Sequence, residues 1–208
     1  MIFTEQDIEN ATQPLTTALI TDNVDPDGKN RLKVQYPWDS DTNESYWARV
    51  LTFMSGDDFG SHFVPEIGDE VLVSFLNGDL ESPVIMGSLW NNERTPPYEN
   101  TDENNIRAIK SRSGHELVFD DTQDKTNLKL KSAQGHQIIL DDENEKITIE
   151  DSKGNYICLD ATAKEITIES SMDVKVNASG NIEIKSGANI TIEAGGVLTL
   201  SGSMVKIN

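Results

Sequence analysis

The sequence predicts an all-β protein in which a small five-stranded barrel is followed by an intertwined trimeric β-prism. Two patterns in the 208 residues predict it: five short strand-like segments fill the first part, and apolar pairs recur every eight residues in the last part. Alternation of apolar and polar residues is typical of a strand with one buried face. Helical periodicity is almost absent, which argues against a mixed fold.

Composition limits the functions that such a chain can have. The formal net charge is −19 and the hydrophobic content is 36%. This acidic balance argues against nucleic acid as a partner, because phosphate backbones need a basic surface. The single cysteine, Cys158, excludes an intrachain disulfide. Residues 1–10 are polar and acidic, so we expect assembly in the cytoplasm without a signal peptide, and no segment has the length of a transmembrane helix.

The barrel is predicted to occupy residues 15–92, after a polar N-terminal arm at residues 1–14. The turn Asp25-Pro26-Asp27-Gly28 favours a hairpin between the first two strands. Five strands within about 75 residues fit a small closed barrel such as the OB-fold. The predicted strands are Ala18–Thr21, Arg31–Tyr36, Tyr46–Phe53, Val71–Leu76 and Val84–Trp90.

A polar linker at residues 93–105 separates the barrel from the predicted prism at residues 106–208. A longer repeat comes first: Gly114–Asp121 recurs as Gly135–Asp142, and more loosely as Gly154–Asp160. Apolar pairs lie between these copies, so two strands alternate in each unit of about twenty residues. The pattern indicates a wide prism whose turns shorten toward the C-terminus.

The octads that follow predict the shaft of the prism. One strand of an octad cannot bury its own face, and eight residues cover about one side of a triangular rung, so three identical chains would supply the three sides. An antiparallel meander and an amyloid-like stack are the alternatives. The predicted shaft interior consists of Ile166, Ile168, Val174, Val176, Ile182, Ile184, Ile190, Ile192, Leu198 and Leu200.

Candidate chemical sites are few, and we predict neither a catalytic residue, nor a metal site, nor a cofactor. Three histidines are present, His62, His115 and His136, and the last two follow a glycine at equivalent repeat positions. On a threefold axis either could form a metal-binding ring. The simpler interpretation is that both histidines lie at the start of a strand and face solvent or neighbouring residues. The pairs Asp120/Asp121 and Asp141/Asp142 follow strands at turns, where Asp is favoured for local reasons.

Several motifs in order resemble the spike proteins of contractile injection machines, the VgrG proteins of type VI secretion and the gpV-type spikes of phage baseplates. The resemblance covers roughly residues 15–208. The motifs are Gly28–Trp38, Tyr46–Val50, Pro65–Val73, Gly87–Asn91, Ile109–His115 and Phe119–Asp121.

The resemblance implies a homotrimer at the tip of a tail tube, with an OB-fold barrel followed by a triple-stranded β-helix. A hub would contact the OB end, and the needle would meet a target membrane transiently. A PAAR-type tip protein would dock near Val205, Lys206, Ile207 and Asn208. About fourteen residues precede the barrel, where larger members carry a hub portion; the hub is then a separate protein, or the chain is cut from a longer one.

The sequence therefore predicts a structural central spike, not an enzyme, that pierces the target cell envelope and carries a tip protein or effectors. It would be delivered outside the producing cell as part of a phage tail or injection particle. Two other functions remain open. A trimeric tail-fibre-like protein that binds a receptor or polysaccharide would also be a β-prism, although the outer shaft positions are Thr, Lys, Glu and Ser. An OB-fold nucleic-acid binder would use aromatic side chains such as Trp38, Trp47 and Trp90.

Overall fold

The computed structural model describes residues 15–39 and 43–207, which divide into two compact units, one up to Asn104 and one from Asn105. The predicted arm at residues 1–14 and Asn208 lie outside the described residues. Regular structure in the described residues consists of strands and one three-residue 3₁₀ helix, Leu76–Gly78. The predicted all-β fold class is confirmed.

The first unit contains seven strands: β1 (Leu15–Asp22), β2 (Lys33–Gln35), β3 (Arg49–Val50), β4 (Ser55–Gly56), β5 (Phe59–Gly60), β6 (Glu70–Phe75) and β7 (Pro83–Leu89). Five of them form a sheet in the order β2-β1-β6-β7-β3, in which β3 and β7 are parallel and the other pairs antiparallel. Leu32 and Ala48 exchange backbone hydrogen bonds of 2.9 and 2.7 Å, which joins the β2 segment to the β3 segment and closes the sheet. A closed five-stranded barrel of this kind is an OB-fold.

The barrel differs from prediction in its third strand, which is two residues long and not eight. The chain leaves the sheet after Val50 and forms the separate β4–β5 hairpin. The core is otherwise built by the predicted alternation. Its largest fully buried side chains, each under 2% exposed, are Ile20, Leu32, Val34, Val71, Val73 and Ile85.

The second unit is a seven-stranded antiparallel meander, in which every strand pairs with the next one in sequence. Its strands are β8 (Ile106–Lys110), β9 (Glu116–Asp120), β10 (Asn127–Lys131), β11 (Gln137–Asp141), β12 (Lys146–Glu150), β13 (Tyr156–Asp160) and β14 (Glu165–Glu169). The two strands expected in each longer repeat unit thus lie side by side within one chain. Among the described residues, the segment 170–207 contains no strand. The intertwined β-helix of three chains stays a prediction.

Candidate assembly surface

One face of the β8–β14 sheet is almost wholly apolar. Each of its strands turns its second and fourth residues to this face, and the residues oppose each other across the strands in pairs such as Ile147↔Leu159 and Ile149↔Ile157. Arg107 is the one charged residue in this register, opposite Phe119. We call this the apolar face; its apolar members are Ile109, Leu117, Phe119, Leu128, Leu130, Ile138, Leu140, Ile147, Ile149, Ile157, Leu159, Ile166 and Ile168.

The apolar face is largely open to solvent in a single chain. Eleven of its side chains are between 37% and 69% exposed. Seven strands spaced by about 4.8 Å, each with five residues rising about 3.4 Å, give a face of roughly 500 Å². That is near the upper end of the apolar patches found on monomeric proteins, and such patches mark interaction surfaces.

The opposite face of the same sheet is polar at most of its strand ends, whereas its middle row includes Ala108, Val118, Ile139 and Cys158, of which Val118 is buried. Directly opposed residues form cross-strand contacts there: Lys110 Nζ lies 2.7 Å from Glu116 Oε1, and Lys146 Nζ lies 3.0 Å from Asp160 Oδ2. Tyr156 donates a hydrogen bond of 2.7 Å to Glu169. The two faces of the sheet thus differ: one is apolar and largely exposed, and the other carries charged and hydrogen-bonded pairs at its strand ends around a partly apolar middle row.

The predicted shaft residues fall into two groups. Ile166 and Ile168 lie on β14 and belong to the apolar face, where they are 69% and 63% exposed. The remaining eight lie in the segment 170–207 and are 52% to 72% exposed. The structure therefore brings the first pair together with the apolar face and leaves the other pairs without a partner strand within the described residues.

His115 and His136 occupy equivalent positions at two hairpin turns along one edge of the meander. Nδ1 of His115 accepts a hydrogen bond of 3.3 Å from the backbone N–H of Ala133, and Nδ1 of His136 accepts one of 3.3 Å from Ser152. Each ring thus contacts the next turn along the same edge. His62 is exposed in the first unit.

The paired aspartates hold turns. Hydrogen bonding from Thr122 lowers the pKa of Asp120, and Asn144 lowers that of Asp141 through its backbone N–H and its side chain. Asp121 forms a 2.7 Å ion pair with Arg107. Within residues 15–39 and 43–207, no group of three or more His, Cys, Asp or Glu side chains is placed to hold a metal ion.

The first unit exposes an aromatic cluster that the sequence analysis did not identify. Phe53 and Phe63, 86% and 62% exposed, approach each other with ring centroids 6.5 Å apart. Phe59, on β5, covers Gly56, where an added Cβ would meet its ring at 2.2 Å. The sequence feature that indicates this cluster is the group of Phe and Met residues between the third and fourth barrel strands.

The proposed docking residues for a tip protein are exposed where the structure describes them. Val205 is 50% exposed and Ile207 is 84% exposed, and Lys206 lies between them. The part of the chain that the structure describes contains no helix long and apolar enough to cross a membrane.

Comparison with known proteins finds the same family that the motifs resemble. Residues 16–90 match the type VI secretion system/phage-baseplate injector OB domain. The chain is 38% identical over 102 residues to the type VI secretion system spike protein VgrG1a of Pseudomonas aeruginosa, covering 46% of this chain and 16% of the relative. It is 31% identical over 143 residues to the type VI secretion system spike protein VgrG1c of the same organism, and the match covers 65% of this chain and 19% of VgrG1c.

A further relative is the actin cross-linking toxin VgrG1 of Vibrio cholerae, 34% identical over 111 residues, covering 49% of this chain and 10% of the toxin. The chain thus spans between 10% and 19% of the length of these three relatives. The matches confirm the resemblance to VgrG-type spike proteins, which includes the OB domain at residues 16–90.

Proposed function

We propose that this chain, whose residues 16–90 match the injector OB domain, is a structural central spike of a contractile injection machine and acts as a homotrimer at the tip of the tail tube. The observation that carries the proposal is the apolar face of the β8–β14 sheet. Three such faces can turn inward around one axis and bury one another, and the faces that carry the Lys110–Glu116 and Lys146–Asp160 ion pairs then point outward.

The energetic case rests on the same face. Burying roughly 500 Å² of apolar surface in each chain contributes on the order of 10 kcal/mol per chain at about 25 cal/mol per Å². The octads extend this pattern, because each supplies two apolar side chains and has no partner strand among the described residues. Strands from three chains would pair with one another there, which gives a shaft that resists axial force and unfolds slowly.

The remaining partners follow from this placement. A hub would hold the OB end and connect it to the tube and baseplate. A PAAR-type tip protein would dock at the exposed Val205, Lys206 and Ile207, and the needle would contact the target membrane only during injection. The proposed role is mechanical and not enzymatic, and the particle would act outside the cell that makes it.

The first experiment measures the mass of the full chain by light scattering, before and after heating in detergent. We expect a mass of three chains that survives detergent. The matched variant is Ile182→Asp with Ile184→Asp, which places two charges in the shaft and should remove the detergent resistance. Wild-type protein that stays monomeric would contradict the homotrimer.

A second experiment addresses the role itself. An epitope-tagged chain should be found at the tube tip when contractile particles are purified from the producing cells and labelled with gold-conjugated antibody. Label on the tail fibres and not at the tube tip, together with a trimer in solution, would favour the tail-fibre alternative, and particles without any label would contradict the proposed role.

A further inference from the structure

The hairpin turns along one edge of the meander share a five-residue motif. Each begins with Ser or Asp, has Gly fourth and ends with His or Asn; the three copies are Ser111–His115, Ser132–His136 and Asp151–Asn155. In every copy the first side chain accepts a hydrogen bond of 3.0 Å from the backbone N–H of the fifth residue. The glycines have φ values of +91°, +87° and +90°.

The fifth residue also joins each turn to the next one. His115 and His136 each accept a hydrogen bond from the backbone N–H of the second residue in the following turn, Ala133 and Ser152. Asn155 continues the series, because its Oδ1 accepts a hydrogen bond of 2.9 Å from the backbone N–H of Ser171. The acceptors thus form a ladder in which one turn positions its successor by a side-chain contact.

The ladder ends where the meander ends. By the spacing of the motif, a fourth turn would begin at Ser170, but Asp173 stands in place of the glycine and Val174 in place of the acceptor. A φ near +90° favours glycine, and valine has no side-chain acceptor. Turns at the opposite edge do hold Asp124, Glu145 and Lys164 at φ values of 51° to 60°, which is the smaller left-handed region open to other residues.

The strand pattern itself continues past this point. In the meander, the sixth and eighth residues counted after the start of a turn lie on the apolar face, as Leu117 and Phe119 do after Ser111. The same count from Ser170 reaches Val176 and Ala178. An eighth strand is therefore available in the sequence, and the turn that would fold it back onto β14 is missing.

We propose that Asp173 and Val174 form the switch at which strand pairing changes from pairing within one chain to pairing between copies of this chain. The inference rests on the proposed homotrimer and names what sets its architecture. Among the described residues, β14 pairs with β13 alone, so its other edge is open. An open edge needs a partner strand, and the octads of a second copy carry the apolar alternation that fits it.

The direct test restores the turn with Asp173→Gly and Val174→Asn. Strands that flank these turns pair as Lys110↔Glu116, so position 167 would face position 177 across an eighth strand. Thr167→Cys and Asn177→Cys, with Cys158→Ser, would then be within reach of a disulfide. Non-reducing denaturing gels separate a link within one chain from a link between copies.

After oxidation, we expect the protein with the restored turn to contain on the order of tenfold more intrachain 167–177 disulfide than the protein that has the same cysteines and the native Asp173 and Val174. A strained turn shifts the equilibrium between the folded-back and the open strand by that order. An equal yield of intrachain product in both backgrounds would overturn the switch.

A reciprocal test keeps the proposal decidable if the restored chain does not fold. Gly154→Asp with Asn155→Val moves the switch one hairpin earlier, and Thr148→Cys reports on it, since residue 148 lies opposite the native Cys158. The intrachain 148–158 disulfide should fall several-fold. The control, Gly114→Asp with His115→Val, should leave that link unchanged, and equal yields in both variants would refute the proposal.

The homotrimer is tested separately by the mass of the unmodified protein. A monomer would remove the proposed function whatever the gels show. A trimer whose disulfides do not respond to the turns would remove the switch alone.

Discussion

The guanidinium of Arg31 donates two hydrogen bonds to the carboxylate of Asp25, from Nε to Oδ2 and from Nη2 to Oδ1, each 2.8 Å long. The backbone N–H groups of Asp27, Lys29 and Arg31 donate to the same carboxylate at 3.0, 3.1 and 3.2 Å. The Asp25 side chain is only 2% exposed. This one carboxylate therefore fixes the turn between β1 and β2 that leads to the Leu32–Ala48 closure.

Replacing Asp25 by Asn should destabilise the barrel. The amide keeps the shape but removes the charge and presents an N–H₂ to donors that need an acceptor. We expect the melting temperature of the barrel to fall on the order of 10 °C. Asp27→Asn is the control, because the Asp27 side chain is 55% exposed and its ion pair with Arg31 lies in solvent; its melting temperature should stay close to wild type. Equal melting temperatures for both variants would contradict this role of Asp25.

The contribution of Asp25 should depend on pH with a defined sign. The hydrogen bonds from the Arg31 side chain, followed by those from the turn backbone, hold the pKa of Asp25 far below its usual range. A carboxyl group with a lowered folded-state pKa stabilises the fold above its unfolded pKa of about 3.9 and loses that contribution as pH falls toward the folded-state value.

Urea unfolding of wild type and Asp25→Asn measures this dependence. The difference in the free energy of unfolding between the two proteins should be constant above about pH 5 and should shrink below about pH 4. A difference of the same size at pH 7 and in strong acid would show that the Asp25 charge is not what stabilises the turn.

Two neighbouring residues on β7 allow the contribution of core packing to be measured apart from that of strand formation. Ile85 is fully buried in the barrel, and Met86 is 41% exposed at the bulge of the β6–β7 pair. Ile85→Ala should lower the free energy of unfolding by about 2–5 kcal/mol, since it leaves a cavity, whereas Met86→Ala should lower it by less than about 1 kcal/mol. Chemical denaturation measures the free energy of unfolding of both variants. A similar decrease in Ile85→Ala and Met86→Ala would contradict the prediction.

Two neighbours on β12 test the apolar face. Ile147 belongs to that face and Thr148 to the opposite one. Ile147→Lys would bury a charge between copies and should abolish the trimer, because an unpaired buried charge costs several kcal/mol. Thr148→Lys should leave the trimer intact. Light scattering measures the mass of each variant; loss of the trimer from Thr148→Lys alone would mean that the faces have been assigned the wrong way round.

Between residues 15 and 169 the predicted strands largely coincide with strands of the structure, whereas the octad strands predicted for residues 170–207 are not strands there. Val71–Leu76 and Val84–Trp90 were placed within one or two residues, because alternation of apolar side chains is a local signal. The third barrel strand was overestimated because Tyr46–Phe53 continues to alternate after the chain has left the sheet. The aromatic side chains Phe53 and Phe63 were missed for the same reason, since alternation does not tell an outward face from a covered one.

By itself, the sequence determined the all-β class, the barrel, the eight-residue period of the apolar pairs and the resemblance to VgrG-type spikes, all of which depend on residue order alone. Only the tertiary structure decided that residues 106–169 pair within one chain and that Asn155 contacts Ser171. Strand pairing depends on turn conformation and on hydrogen bonds between residues about sixteen positions apart. An apolar repeat is compatible with pairing inside a chain and with pairing between chains, so its period could not choose between them.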